Sequence, residues 1–306
     1  MVLTIRDDFD LKKIADSGQC FRFNELPEFC GKAESGEMIG ACDEAGPGDE
    51  TGTCDEAQGR TSKRFSVTAS NRHVFVTELG QNRYEFDCSK EEFDSFWKRY
   101  FDLELSYKKI RQLIDKKEDP YLYSASEFGK GIRILRQDPW EMLISFIISQ
   151  RKNIPAIKAS IEKLCALAGD VICEDEVCGK IYSFPTPKQL SALSMEQLSS
   201  CSLGYRDKYV HQAALDVASG AVDLDSWKNL GDEALMENLL KLFGVGVKVA
   251  NCEILFGYHR LDAFPKDVWI NRVLDVQYPQ GFLFDKYAPY NGVMQQYLFF
   301  YSRSMG

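Results

Sequence analysis

The chain changes period once. Up to about residue 90, apolar residues alternate with polar ones in short runs at 2–6, 19–24, 64–70, 73–79 and 83–88. That period predicts antiparallel strands, with turns at Asn71-Arg72 and at Gly80-Gln81-Asn82. From about residue 90 the spacing becomes helical. Phe93, Phe96, Trp97, Tyr100 and Phe101 form one stripe. Further helical runs are predicted at about 106–116, 138–150, 153–167, 187–192, 195–200, 206–218, 232–242, 247–257, 267–276 and 289–302. The pattern reads as an α+β chain: an N-terminal antiparallel β-sheet domain over 1–105, then an all-helical body over 106–306.

One stretch fits neither period. Residues 31–62 are rich in Gly and acids, poor in large apolar side chains, and repeat Cys-Asp-Glu-Ala at 42–45 and 54–57. Such a segment cannot offset its ordering entropy by burial, so a disordered acidic insert is expected. A cation site from Cys42, Asp43, Cys54 and Asp55 is the less favoured alternative.

The insert also explains the charge. The formal net charge of −9 argues at first against a nucleic-acid partner. Residues 24–60, however, hold ten acids against two bases. The rest of the chain is near neutral and can carry a local basic face. The ten cysteines lack paired zinc spacing, so reduced thiols in an intracellular protein are expected, with no metal. The first residues lack the form of a signal peptide, and no apolar run has membrane-spanning length.

The candidate chemistry lies at residues 235–275. A stripe of Leu235, Leu239 and Leu242 runs into Phe243-Gly244-Val245-Gly246, and a second helix follows at once. Two glycines permit a tight hairpin and close approach of a backbone. The amides opening the next helix favour a phosphate. Lys248 sits just inside that helix, and Asp267, nineteen residues on, reads as an N-cap. A lysine amine attacks only when neutral, and burial at a helix start favours that form. The pair can be a nucleophile and its electrostatic partner. Gly-Val-Gly is also a common turn, a first-turn lysine is usually solvated, and Asp267 can be a cap alone.

LKLFGVGVKVANC followed by AFPKDVW resembles the helix-hairpin-helix and Gly-Pro-Asp region of the DNA glycosylase superfamily, and the lysine points to its bifunctional members. Four further segments resemble the 8-oxoguanine DNA glycosylase family: SGQCFR at 17–22, ILRQDPWEMLISFIISQRKNI at 134–154, LGYR at 203–206 and GVMQQYLF at 292–299. The resemblance implies a two-lobed helical body with the DNA-facing cleft between the lobes and the hairpin at their junction. It implies removal of 8-oxoguanine from duplex DNA through a lysine Schiff base, then strand cleavage by β-elimination.

It also implies roles. Lys248 is the nucleophile, and Asp267 stabilises charge on the sugar. Cys252 and Phe299 sandwich the base, and Gln295 bonds its Watson–Crick edge. The carbonyl of Gly18 accepts the N7–H that distinguishes 8-oxoguanine from guanine. Gly244, Gly246, Val247, Asn153, Arg151, Tyr205, Arg206 and Trp269 meet the DNA. Tyr205 is the wedge, and Arg206 is one of two expected arginines reading the orphaned cytosine. The iron–sulfur cluster of some relatives is not expected, because no cysteine follows Cys252. No cofactor, no membrane and a monomer are expected, with the protein in the cytoplasm or nucleoid, or in a nucleus.

The departures concern the opposite strand. Arg151 stands where the family has an asparagine, Ala156 where it has the other arginine, and Trp269 in place of a histidine. Lys266 replaces an apolar residue and is a candidate phosphate contact. Two other readings stay open. One is an alkyl-purine glycosylase, which uses the aspartate without the lysine. The other is a non-catalytic DNA-binding protein that uses the hairpin only to hold phosphate.

Overall fold

The computed structural model describes residues 1–27 and 62–305. The insert expected at about 31–62, with its candidate cation site, lies outside the described residues apart from Ser62. The predicted strands form one antiparallel sheet of β1 (Val2–Thr4), β2 (Phe23–Glu25), β3 (Arg64–Ala69), β4 (Arg72–Gly80) and β5 (Arg83–Phe86), in the order β1-β5-β4-β3-β2. Gln81 and Asn82 both take positive φ, as a two-residue hairpin of type I′ requires. Phe65 faces Val76 and Val67 faces Val74 across β3 and β4, and all four are buried. They pack with Leu11, Ile14, Trp97, Phe101 and Leu135 into the sheet's own core.

Short helices escaped the periodicity, among them α1 (Leu11–Asp16), α2 (Pro120–Phe128) and the single turn Phe284–Tyr287. The start of α2 was legible, since Asp119 accepts the Leu122 amide at 3.0 Å and Pro120 follows it. The helices that build the site are α3 (Pro139–Ser149), α4 (Ile154–Ala168), α5 (Asp207–Ala218), α6 (Asp232–Lys241), α7 (Val247–Cys252), α8 (Val268–Gln277) and α9 (Asn291–Met305). The body is mostly helical rather than all-helical. β6 (Val171–Asp175) and β7 (Gly179–Tyr182) form an antiparallel ribbon. Its alternation is short and half exposed, too weak a signal to separate from loop.

Nine of the eleven residues of α3 are buried, so this helix is the centre of the body. It packs on α4, on α5 and on α7 with the π turn Glu253–Gly257 that continues it. The last helix, α9, packs instead on α2 and α8. The N-termini of α4, α7 and α8 and one face of α9 thereby line one cleft. No described helix is long and apolar enough to cross a membrane.

The sheet closes without the insert. The Leu26 amide donates to the Arg64 carbonyl at 2.8 Å, and Glu25 pairs with Phe65. Replacing residues 31–62 by a Gly-Ser turn is therefore expected to leave the thermal midpoint unchanged, to spare the base excision that the resemblance implies, and to tighten any DNA binding at low salt, where repulsion of phosphate is least screened. Loss of excision with the midpoint kept would place the insert in the site.

Candidate active site

The hairpin is built by packing as much as by glycine. Leu235, Leu239 and Leu242 bury the stripe of α6 and its exit. Gly244 has φ +83°, and a Cβ there would lie 2.3 Å from the Tyr209 ring. Only glycine fits. Gly246 is different: its backbone is ordinary, and a Cβ would meet nothing within 4 Å. It caps α7 without a side chain, which leaves the first-turn amides uncovered for an anion. Val247 is 64% exposed beside it. Gln150 Nε2 donates to the Gly244 carbonyl at 3.0 Å, and Tyr209 sets its ring edge-on to Phe243 and Tyr205. Exposed Arg151, Tyr205, Phe243 and Val247 thus belong to three interlocked loops.

Lys248 projects from α7 into a cleft of about 330 Å³ whose lining includes Gly18, Phe146, Asn153, Asp267, Trp269 and Phe299. Its Nζ lies 5.4 Å from the centroid of the Phe146 ring. The side chain is exposed, which corrects the expectation of a buried lysine. Among the described residues no carboxylate comes within ion-pairing distance of it. The helix start holds it at the cleft wall, and desolvation is left to whatever fills the cleft. Asp267 caps α8, with Oδ1 accepting the Ile270 amide at 2.9 Å. Its second oxygen takes no hydrogen bond among the described residues.

The cleft narrows to an inner pocket of about 40 Å³ lined by Gly18, Lys248, Cys252, Gln295 and Phe299, among others. Cys252 is buried, and burial pushes its thiol above the usual range against the opposing pull of Lys248. It offers a neutral face. Gln295 is held in place: Nε2 donates to the Pro265 carbonyl at 3.0 Å, and Oε1 accepts from Gln296 at 3.2 Å. The buried Gln296 Oε1 has no partner among the described residues.

Gly18 has φ +78°, and a Cβ there would sit 3.1 Å from a Phe299 ring carbon. The turn breaks the strand expected at 19–24, so β2 begins only at Phe23. The neighbouring Gln19, which the sequence reading passed over, fixes it. Its buried amide donates to Ser17 Oγ and to the Arg133 carbonyl, both at 2.8 Å, and accepts the Leu135 amide at 2.8 Å. The Gly18 peptide is therefore rigid before any ligand arrives.

Other expected contacts divide. Asn153 caps α4 through Oδ1 to the Ala156 amide at 2.9 Å and stands exposed at the cleft. Arg151 is exposed with φ +51°, and Tyr205 is 49% exposed. Trp269 lines the cleft half-buried. Arg206, expected as a base-reading donor, is turned inward here. It is 6% exposed, with Nε on the Gln150 carbonyl at 2.7 Å and another nitrogen on the Leu203 carbonyl at 2.9 Å. A buried cation needs acceptors, and here the backbone supplies them. Arg206 holds the turn at Gln150 and Arg151 and backs the Tyr205 ring, 4.4 Å from its centroid.

The lining residues not expected from the sequence include Phe146, Lys152 and Arg303. Phe146 is hidden in an apolar run and gave no signal. Lys152 bonds Ser160 Oγ and the Ser202 carbonyl, both at 2.6 Å, and burial with Arg206 and Lys163 nearby lowers its pKa. Arg303 lies four residues after Phe299 on one helical face, a spacing that could have flagged it.

Known proteins resemble this chain throughout. Residues 1–143 match the model for the 8-oxoguanine DNA glycosylase N-terminal domain, and residues 144–278 match that for HhH-GPD superfamily base excision DNA repair proteins. An N-glycosylase/DNA lyase of Saccharomyces cerevisiae is 34% identical over 63% of this chain and 54% of its own length. The chain thus spans about half of that relative. The structure of MBOgg1 with a low-affinity DNA ligand superposes with TM-score 0.82 at 34% identity, over 100% of this chain and 96% of that one. The Clostridium acetobutylicum 8-oxoguanine glycosylase/lyase, bound to duplex DNA with cytosine opposite 8-oxoguanine, gives 0.79 at 31% identity over 100% and 98%.

Proposed function

We infer the work of this site from one premise: the chain belongs to the 8-oxoguanine DNA glycosylase family of the HhH-GPD base-excision repair superfamily. It is a bifunctional glycosylase and lyase that removes 8-oxoguanine from duplex DNA. One observation carries this reading. Gly18, Lys248, Cys252, Asp267, Gln295 and Phe299, drawn from almost the whole length of the chain, line one pocket.

The target base leaves the duplex to reach that pocket. Phe299 and the neutral Cys252 thiol take its two faces. The Gly18 carbonyl accepts N7–H from the lesion and repels the N7 lone pair of guanine. The Lys248 amine attacks C1′, and the base departs with the glycosidic electron pair. Asp267 stabilises the positive charge developing on the sugar. The aminal opens to a Schiff base, which makes the 2′ proton acidic. Loss of that proton expels the 3′ phosphate and cuts the strand. The hairpin amides hold a DNA phosphate. No metal or cofactor enters this scheme, and the protein acts where duplex DNA is, in cytoplasm, nucleoid or nucleus.

Borohydride reduction of the protein on an 8-oxoguanine duplex tests the reading. A covalent protein–DNA adduct is expected. Excision without an adduct would indicate an alkyl-purine type enzyme, and binding without excision a non-catalytic protein.

Opposite-base preference is expected to be weak. A bidentate arginine contact to a base is worth about 1–3 kcal/mol of discrimination. Ala156 has no donor, and Arg206 is committed to carbonyls. Excision of 8-oxoguanine opposite each of the four bases, compared with an Ala156→Arg variant, checks this. Should the unmodified protein reject other partners as strongly as the variant does, Arg151 reads the orphaned base.

A further inference from the structure

Three cations line the cleft. Lys152 is tied to Ser160 and Ser202, and Lys248 is the nucleophile of the proposed reaction. Arg303 is left over. It forms no ion pair among the described residues. Its sole hydrogen bond there is a long one, 3.4 Å to the Asp16 carbonyl. The guanidinium carbon stands 5.3 Å from the Phe299 ring centroid. A guanidinium nitrogen lies 3.6 Å from where a Gly18 Cβ would be. A charged donor with spare N–H groups is therefore parked beside the Gly18 peptide, against the ring on which the base is to stack. It lines the outer cleft and not the inner pocket, so it stands at the rim of the base site.

8-Oxoguanine differs from guanine at two adjacent atoms. N7 gains a proton, and C8 gains a carbonyl oxygen. A carbonyl at Gly18 answers the first change only. The second presents an acceptor next to that contact, and an acceptor in a closing pocket needs a donor. Resting on the proposed excision of 8-oxoguanine, we propose that Arg303 is a specificity-determining residue that donates to the C8 oxygen of the extruded lesion while Gly18 accepts from N7–H. Its hold on Asp16 is weak enough to release, and the Phe299 face keeps the planar group at the rim. Guanine, with C–H at that position, leaves the guanidinium without its partner.

The test compares Arg303→Met and Arg303→Lys with the unmodified protein. Arg303→Met keeps an unbranched apolar stem to pack on Phe299 and removes the donors. It is expected to lower kcat/KM on an 8-oxoguanine duplex by about tenfold or more, the effect of losing a charge-assisted hydrogen bond. Its affinity for a duplex with a tetrahydrofuran abasic site, which offers sugar and phosphate without a base, should not change. Arg303→Lys should recover part of the loss. Full excision by Arg303→Met would overturn the proposal. So would an equal loss of affinity on the abasic duplex with a shallower salt dependence, which marks a phosphate contact. A lowered thermal midpoint in both variants with no recovery by lysine would reduce Arg303 to packing, and overturn it too. Failure of the unmodified protein to excise 8-oxoguanine would instead defeat the function itself, and this inference with it.

Discussion

Lys248→Gln is expected to abolish base excision and borohydride trapping together while leaving fold and lesion-DNA affinity in place. The side chain is exposed at the second position of α7 and has no ion-pair partner among the described residues. Its replacement should cost about 0.5 kcal/mol or less in stability, as for other surface changes away from special contacts. Glutamine keeps an unbranched polar side chain, one atom shorter, but has no nucleophilic amine. The hairpin amides, Gly244 and Gly246 are untouched, so phosphate binding should persist. The measurements are single-turnover excision, trapping, and binding to an 8-oxoguanine duplex. Undiminished trapping would put the nucleophile elsewhere, and lost binding would make Lys248 a phosphate contact.

Asp267→Asn should lower single-turnover excision by about a hundredfold or more, the scale for removing one preorganised electrostatic group from a reacting centre. The carboxylate has two jobs on different oxygens. Oδ1 caps α8 through the Ile270 amide. The charge faces the cleft with Lys248. Asparagine caps a helix about as well as aspartate, so the thermal midpoint should hold. Asp267→Ala should lose the same activity and a further ~1 kcal/mol of stability through the missing cap. Equal activity in the asparagine variant and the unmodified protein would reduce Asp267 to its capping role. Trapping of a preformed abasic site, which needs no base departure, should survive in Asp267→Asn better than excision does.

Much of this was legible because it is local. The strand alternation at 64–88 set sheet pairing, since β3, β4 and β5 are joined by two-residue turns and can pair only with their neighbours. The cap at Asp267 and the hairpin at 243–246 follow from residue types at fixed spacing. The missed elements are short. α1 has six residues and β7 has four, too few for either period to stand out.

The sequence by itself determined most of the order of elements, the hairpin, and which lysine, aspartate, aromatic and thiol residues are candidates for the chemistry. Those depend on side-chain chemistry and on neighbours within a turn or two. Tertiary structure decided who meets whom. It brought the Gly18 turn against Phe299, 281 residues away, and fixed it through Gln19 to the segment at 133–137. It left Lys248 in the open and turned Arg206 inward onto carbonyls, although both were expected the other way round. Arg206 went inward because the turn at Gln150 presents an acceptor beside it, and Lys248 stayed outward because the first turn of α7 faces the cleft. Both outcomes depend on groups distant in the chain, and no local pattern of residues records them.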